Sequence, residues 1–278
     1  MDSLLDQIVG LLSSTPPPIA YLTEKLTPVV LSLGLRTLPT NLPIFLWSFS
    51  IFLGVHQILA PLVCNLSVNG WRSMGSRARN NWSIHVVSQI HAFIIVPLAL
   101  RALESPELDQ DRAFGIDRSS SIVAAVASAY FIWDTLDAVV NFVDLGFVVH
   151  GVACSAIYMM SFKPFLAYYA SRCLLWEAST IFLNNHWFLD KTGRTGSTLQ
   201  LVNGAFLLFT FFGVRVVYGG MISWEFFKTL AQVKDEIPLV YVLVYGVGNV
   251  VLNGLNWLWF TKMVAALRKR FNTGSKTT

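Results

Sequence analysis

Charge is what this sequence has least of. Only 13% of its 278 residues are charged, against roughly a quarter in soluble globular domains. That is too few ionisable side chains to cover a water-facing surface. Cysteine is scarce too. Cys64, Cys154 and Cys173 all fall in or beside apolar runs without metal-ligand spacing, which argues against a disulfide framework and offers no metal site. The chain lacks a basic-then-apolar opening with a small-residue cleavage site, so no cleaved signal peptide is expected. Short-period repeats and low-complexity tracts are missing as well. The net charge of +4 comes mainly from short basic loops, a pattern that orients membrane proteins and points to no nucleic-acid partner.

What the chain does have is apolar length. Hydrophobic residues make up 54% of it, with nine Trp and twenty Phe, and mean hydropathy is +0.56. A helix needs roughly 20 apolar residues to cross a bilayer. Seven such stretches occur, near 43–64, 83–103, 119–141, 145–163, 165–185, 199–222 and 237–265. The expected fold is all-α, a polytopic membrane protein of about seven transmembrane helices. Residues 1–42, with "STPPPIAY" and "RTLPTNLP", are expected to be irregular or interfacial, because proline interrupts helices. Residues 43–75 then form a leading transmembrane helix and a basic loop, 76–270 the main domain, and 271–278 a polar tail.

Loop charge sets the orientation. "WRSMGSRARNN" carries Arg72, Arg77 and Arg79 without an acid, and the tail "LRKRFNTGSKTT" is basic, whereas "ESPELDQDRAFGIDR" is acid-rich. Positive loops stay inside, which places the 65–82 loop and the C-terminus in the cytosol and, with an odd number of spans, the N-terminus on the lumenal side. The sequons at Asn65 and Asn81 then go unused. Counting helical rise from the span ends, His91, Asp134, His150 and Glu177 share the cytosolic half of the membrane on four helices. A charge in hydrocarbon costs about 2.5–3.5 kcal/mol on insertion scales, and such residues mark bundle interiors or wet cavities. Helical spacing lines up Cys173, Glu177, Thr180 and Asn184, then Asp134, Asp137, Asn141 and Asp144, and finally Gly246, Asn249, Asn253 and Asn256. Ser88 and His91 share a face. One polar chamber is the expectation.

Each residue also has a plainer reading. Intramembrane Asn and Ser often only join helices. Asp137 and Asp144 fit a solvated helix end, and His56 and His85 fit satisfied or interfacial positions. Arg172 and Arg215 fit ion pairs or snorkelling. Asp134, His150 and Glu177 fit a buried structural network.

The blocks "YFIWDTLDAVV", "VVHG", "WEASTIFLNNHWFLDK" and "FFGVRVVYG", preceded by "SQIHAFIIVP", resemble in order and spacing the TLC domain. That family takes in translocating-chain-associated membrane proteins, longevity-assurance ceramide synthases and a ceroid-lipofuscinosis protein. The likeness covers about 76–270 and is nearest to the small TLC-domain-only branch. It implies an endoplasmic-reticulum protein that handles lipid, with six helices in a barrel around a cavity open toward the cytosol. In ceramide synthases an adjacent His-His pair moves a fatty acyl group from coenzyme A; here that place reads His150-Gly151.

The first functional expectation is a protein that binds membrane lipid or a fatty-acyl ligand and influences membrane lipid composition, a role in lipid homeostasis that requires no cofactor. His91, Asp137, Asn184, Trp187, Arg215, Asn249 and Asn253 are the lipid- or acyl-binding candidates. The alternative is an acyltransferase acting on a lipid amine or hydroxyl with acyl-CoA as co-substrate. His150 is then base or transient acyl acceptor, Asp134 or Glu177 orients it, and the basic loop attracts the coenzyme A phosphates. A second alternative is a trafficking or assembly partner of other reticulum membrane proteins. Oligomerisation stays open.

Overall fold

In the computed structural model, residues 2–274 are described, with side chains over 4–268; residues 275–278 of the expected polar tail lie outside the described residues. Among the described residues there is no strand, and the chain is an all-α polytopic membrane protein. The opening segment, expected to be irregular or interfacial, is helical. It forms α1 (Asp2–Leu12) and α2 (Pro17–Ser32). Pro16 is the N-cap of α2, and Pro17 and Pro18 occupy its first turn, where an amide N–H would have no helical acceptor anyway. The Trp47 indole N–H donates to the Ser14 carbonyl at 2.9 Å, tying this pair to the next helix.

Among the described residues, five helices are long and apolar enough to cross a membrane. They are α3 (Leu38–Ser67), α4 (Ser76–Ala102), α5 (Arg118–Val140), α8 (Thr198–Val233) and α9 (Leu239–Gly274). The other two expected spans are different in kind. α6 (Leu145–Met160) is a shorter apolar helix of 16 residues. α7, residues 167–191, runs as α-helix over Ala167–Cys173, tightens to a 3-10 turn at Leu174–Glu177, and resumes at Ala178–Lys191. Arg172, Glu177, Asn184 and Asn185 lower its hydropathy, so composition alone does not mark it as a span.

Local chemistry explains the boundaries. Asp117 and Ser120 form a capping box at the start of α5, each side chain accepting a backbone N–H that the first turn leaves unpaired. The short "NFVDLG" link separates two helices because Asn141 closes α5 with its side-chain amide on Asp137 Oδ1 at 2.9 Å. Asp144 then caps α6 by accepting the Gly146 N–H at 2.7 Å. Between α7 and α8, Gly193 and Gly196 take positive φ of 74° and 78°, which L side chains rarely adopt.

α5 is the central helix, 61% buried over its apolar window against 22% for α8 and 28% for α9. Its run "SIVAAVASAYF" is rich in Ala, and small side chains let neighbouring backbones approach. Packing runs round a circuit, α5 to α6 to α9 to α8 to α7 to α4 and back to α5, with α3 laid against α4 and α5. At Gly151 α6 lies close against α5. A Cβ there would meet Thr135 Oγ1 at 2.6 Å and the Thr135 Cα at 3.1 Å. The position that a His-His pair would need for its second side chain is occupied by Thr135 of the neighbouring helix.

Candidate functional site: a charged pair in an apolar cavity

A cavity of about 50 Å³ lies within the circuit. Phe131 of α5 contributes to its wall, with His150, Cys154, Ile157 and Tyr158 of α6 and Tyr169, Cys173, Trp176 and Glu177 of α7. Arg215 and Phe226 of α8 and Tyr245, Asn249, Leu252 and Asn256 of α9 complete most of the rest. Apolar side chains dominate, and polar groups gather where Glu177, Arg215 and Asn256 meet.

The backbone reaches this arrangement by leaving regular α geometry twice. Glu177 closes the 3-10 turn of α7, and Arg215 sits in the π-helical stretch Phe212–Tyr218 of α8. Short π stretches re-aim side chains and recur at functional sites. Arg215 is 5% exposed, and its guanidinium is held from several directions. Its Nε donates to the Trp176 carbonyl at 3.1 Å and to Ser179 Oγ at 2.9 Å. Nη2 donates to Glu177 Oε1 at 3.2 Å and to Thr180 Oγ1 at 3.0 Å, and Nη1 to Asn256 Oδ1 at 3.2 Å. Two charges this deep are tolerable only as a hydrogen-bonded pair. Here pairing and satisfaction coincide, so the cavity wall carries two opposite charges that cancel.

The candidate residues divide. His150, Glu177, Arg215 and Asn249 line the cavity. His91 is fully buried behind it, stacked on Tyr130 at 3.6 Å between ring centroids, with Nδ1 4.0 Å from Glu177 Oε2 and neither ring nitrogen hydrogen-bonded. Asp134 is half-buried, within electrostatic reach of Glu177 and Asp137; among the described residues it makes no hydrogen bond or ion pair. Asn184 donates to Ser88 Oγ at 3.1 Å and joins α7 to α4. Asn253 donates to Ser223 Oγ at 2.9 Å and joins α9 to α8. Trp187 stacks on His85 with centroids 3.9 Å apart and meets the edge of Trp82. Asp137 belongs to a second polar cluster, where it accepts from Asn80 at 3.2 Å and Asn141 at 2.9 Å. Asn80 Oδ1 there bonds His56 Nε2 at 2.8 Å. His56 lies in the other π-helical stretch, Val55–Leu59 of α3.

The acyltransferase geometry is not assembled. Among the described residues no carboxylate approaches His150 within 4.0 Å. Its polar neighbour is Cys154, whose Sγ is 3.8 Å from both ring nitrogens, and its ring packs edge-on against Phe131 and Trp259. Glu177 is committed to Arg215. No group of three or more His, Cys, Asp or Glu side chains among the described residues is placed to hold a metal ion. Sequence reading singled out Asn249 and Asn253 from the amide stripe of α9, yet Asn256 makes the bond to Arg215. Its place one helical turn further along the same stripe was the only signal.

Residues 81–265 match the TLC domain. The chain belongs to the TLC domain family. An uncharacterised TLC domain-containing protein of Schizosaccharomyces pombe is 34% identical over 94% of this chain and 90% of its own length. Topoisomerase I damage affected protein 4 of Saccharomyces cerevisiae is 32% identical over 68% of this chain and 70% of its own. TLC domain-containing protein 4 of Homo sapiens is 26% identical over 70% and 76%. The Schizosaccharomyces pombe and Homo sapiens relatives of this TLC protein are both named as TLC domain-containing proteins.

Proposed function

We propose that this TLC protein holds a lipid acyl chain in the cavity between α5, α6, α7, α8 and α9, and through that binding influences membrane lipid composition. The observation that carries the reading is the cavity itself. Its wall is mainly apolar and runs along five helices beside a charge-cancelled Glu177–Arg215 pair, which suits a ligand with one small polar group and a long apolar body. Residence in the endoplasmic reticulum, which the TLC likeness implies, belongs to the same proposal, as does a lumenal N-terminus with a cytosolic C-terminus, which the loop charges support; a glycan on Asn65 or Asn81 would contradict that orientation.

Native mass spectrometry of the protein purified in mild detergent tests the binding. An intact lipid is expected to stay bound and to be lost from Cys173→Phe, which fills the cavity from α7. Retention of the same lipid by that variant, folded as judged by gel filtration, would place the lipid elsewhere. His150 on the cavity wall keeps acyl transfer as the second reading. Turnover of labelled acyl-CoA by the purified protein that disappears in His150→Ala would transfer the assignment to it, whereas the proposal expects no turnover.

A further inference from the structure

The polar end of the cavity carries donors with nothing to receive them. Asn256 lines the cavity and is 2% exposed. Its Oδ1 accepts from Arg215 Nη1 at 3.2 Å, and because a guanidinium offers no acceptor, this bond fixes which end of the amide is which. Nδ2 is therefore turned elsewhere, buried and without a hydrogen-bond partner. Trp176, another wall residue, has its indole N–H buried and unpartnered too. Buried donors are ordinarily paired. Donors left open on the wall of a cavity call for an acceptor from the ligand.

Charge narrows the chemistry. A fatty-acid carboxylate needs an uncompensated cation, and Glu177 at 3.2 Å already neutralises Arg215. An ester or amide carbonyl accepts hydrogen bonds without bringing charge into a low-dielectric site. On α9 the wall runs from Asn256 back to Tyr245, about 16 Å at 1.5 Å per residue, and ends among Phe226, Tyr169 and Leu166. We propose that the polar end of the cavity receives the uncharged carbonyl of an ester- or amide-linked acyl lipid and discriminates against the free fatty-acid anion, with Asn256 Nδ2 as the specificity-determining donor. The proposal rests on the lipid-holding reading of the cavity and adds the ligand's head chemistry to it.

The test uses the full chain in detergent micelles and three radiolabelled probes of equal chain length: a diacylglycerol, a ceramide and free palmitate at alkaline pH. Wild type binds the diacylglycerol or the ceramide at least ~10-fold tighter than palmitate, the size of one well-made hydrogen bond, and whichever is tighter distinguishes the ester from the amide source. Asn256→Asp keeps an oxygen for Arg215 while replacing the free donor by an acceptor, and loses ~10-fold or more for both carbonyl lipids. Trp176→Phe, which keeps a ring and removes the other donor, serves if Asn256→Asp does not fold, and weakens the carbonyl lipids without strengthening palmitate. Palmitate binding as tightly as the neutral lipids overturns the proposal while leaving the cavity a lipid site, and so do folded variants whose affinities match wild type. Failure of all three probes to bind overturns the lipid-holding reading as well.

Discussion

At the scale of single residues, Glu177 and Arg215 define each other. Removing one partner leaves the other as a lone buried charge, which costs about 3–5 kcal/mol. Arg215→Met is therefore expected to lower the melting temperature in detergent by roughly 10 °C, and Glu177→Gln together with Arg215→Met to recover part of that loss. A double variant no more stable than Arg215→Met would show that Arg215 acts through Ser179, Thr180 and Asn256 and not through the carboxylate. His91 behaves differently, since its ring makes no hydrogen bond and is packed by Phe52, Tyr130 and Phe131. Replacing a buried unsatisfied polar ring by an apolar one of similar shape is neutral or stabilising. His91→Phe is expected to melt at or above the wild-type temperature, and a clear drop would mean that the 4.0 Å approach to Glu177 is an energetic contact. Sequence reading found Glu177, His150 and Arg215 because ionisable groups in apolar runs stand out. It did not find their partners, because pairing depends on which neighbouring helix each group faces.

At the scale of elements, irregular helix places the site. The 3-10 turn ending at Glu177 and the π-helical stretch around Arg215 each shift the helical phase, so stripes counted at a constant 3.6 residues per turn break there. Cys173 and Glu177 do reach the cavity, but Asn184, on the same expected stripe, bonds to α4 instead. The spans were legible from the apolar runs, since hydropathy is local, whereas the short "NFVDLG" link made the separation of α5 from α6 the hardest to read until Asn141 and Asp144 are seen capping the two helices. The helices of residues 1–42 were not, because a proline in the first turn of a helix looks in sequence like a breaker. Gly151 shows the same limit. In sequence it is a missing histidine; in the fold it is the close contact of α5 and α6. Gly151→Ala is expected to lower the melting temperature, since its Cβ would sit 2.6 Å from Thr135 Oγ1 with backbone 3.1 Å away. Gly151→His should not fold stably and should gain no acyltransferase activity. A well-folded Gly151→His protein would mean the two helices separate more easily than their packing indicates.

At the scale of the whole molecule, membership of the TLC domain family was readable from the order of four blocks. The single chamber shared by Asp134, His150 and Glu177 was not. His150 and Glu177 share one cavity, whereas Asp134 is not on its wall and Asp137 belongs to a separate cluster with His56 and Asn80. What the helices enclose is an elongated, mainly apolar space with neutralised charge at one place, and the functional account depends on something occupying it. An electron cryo-microscopy map of the protein in lipid nanodiscs addresses this directly. The account expects elongated density with its polar end at Asn256 and its tail running toward Tyr245. A cavity that is empty, closed by repacked side chains, or filled only by water at Glu177 and Arg215 would contradict it.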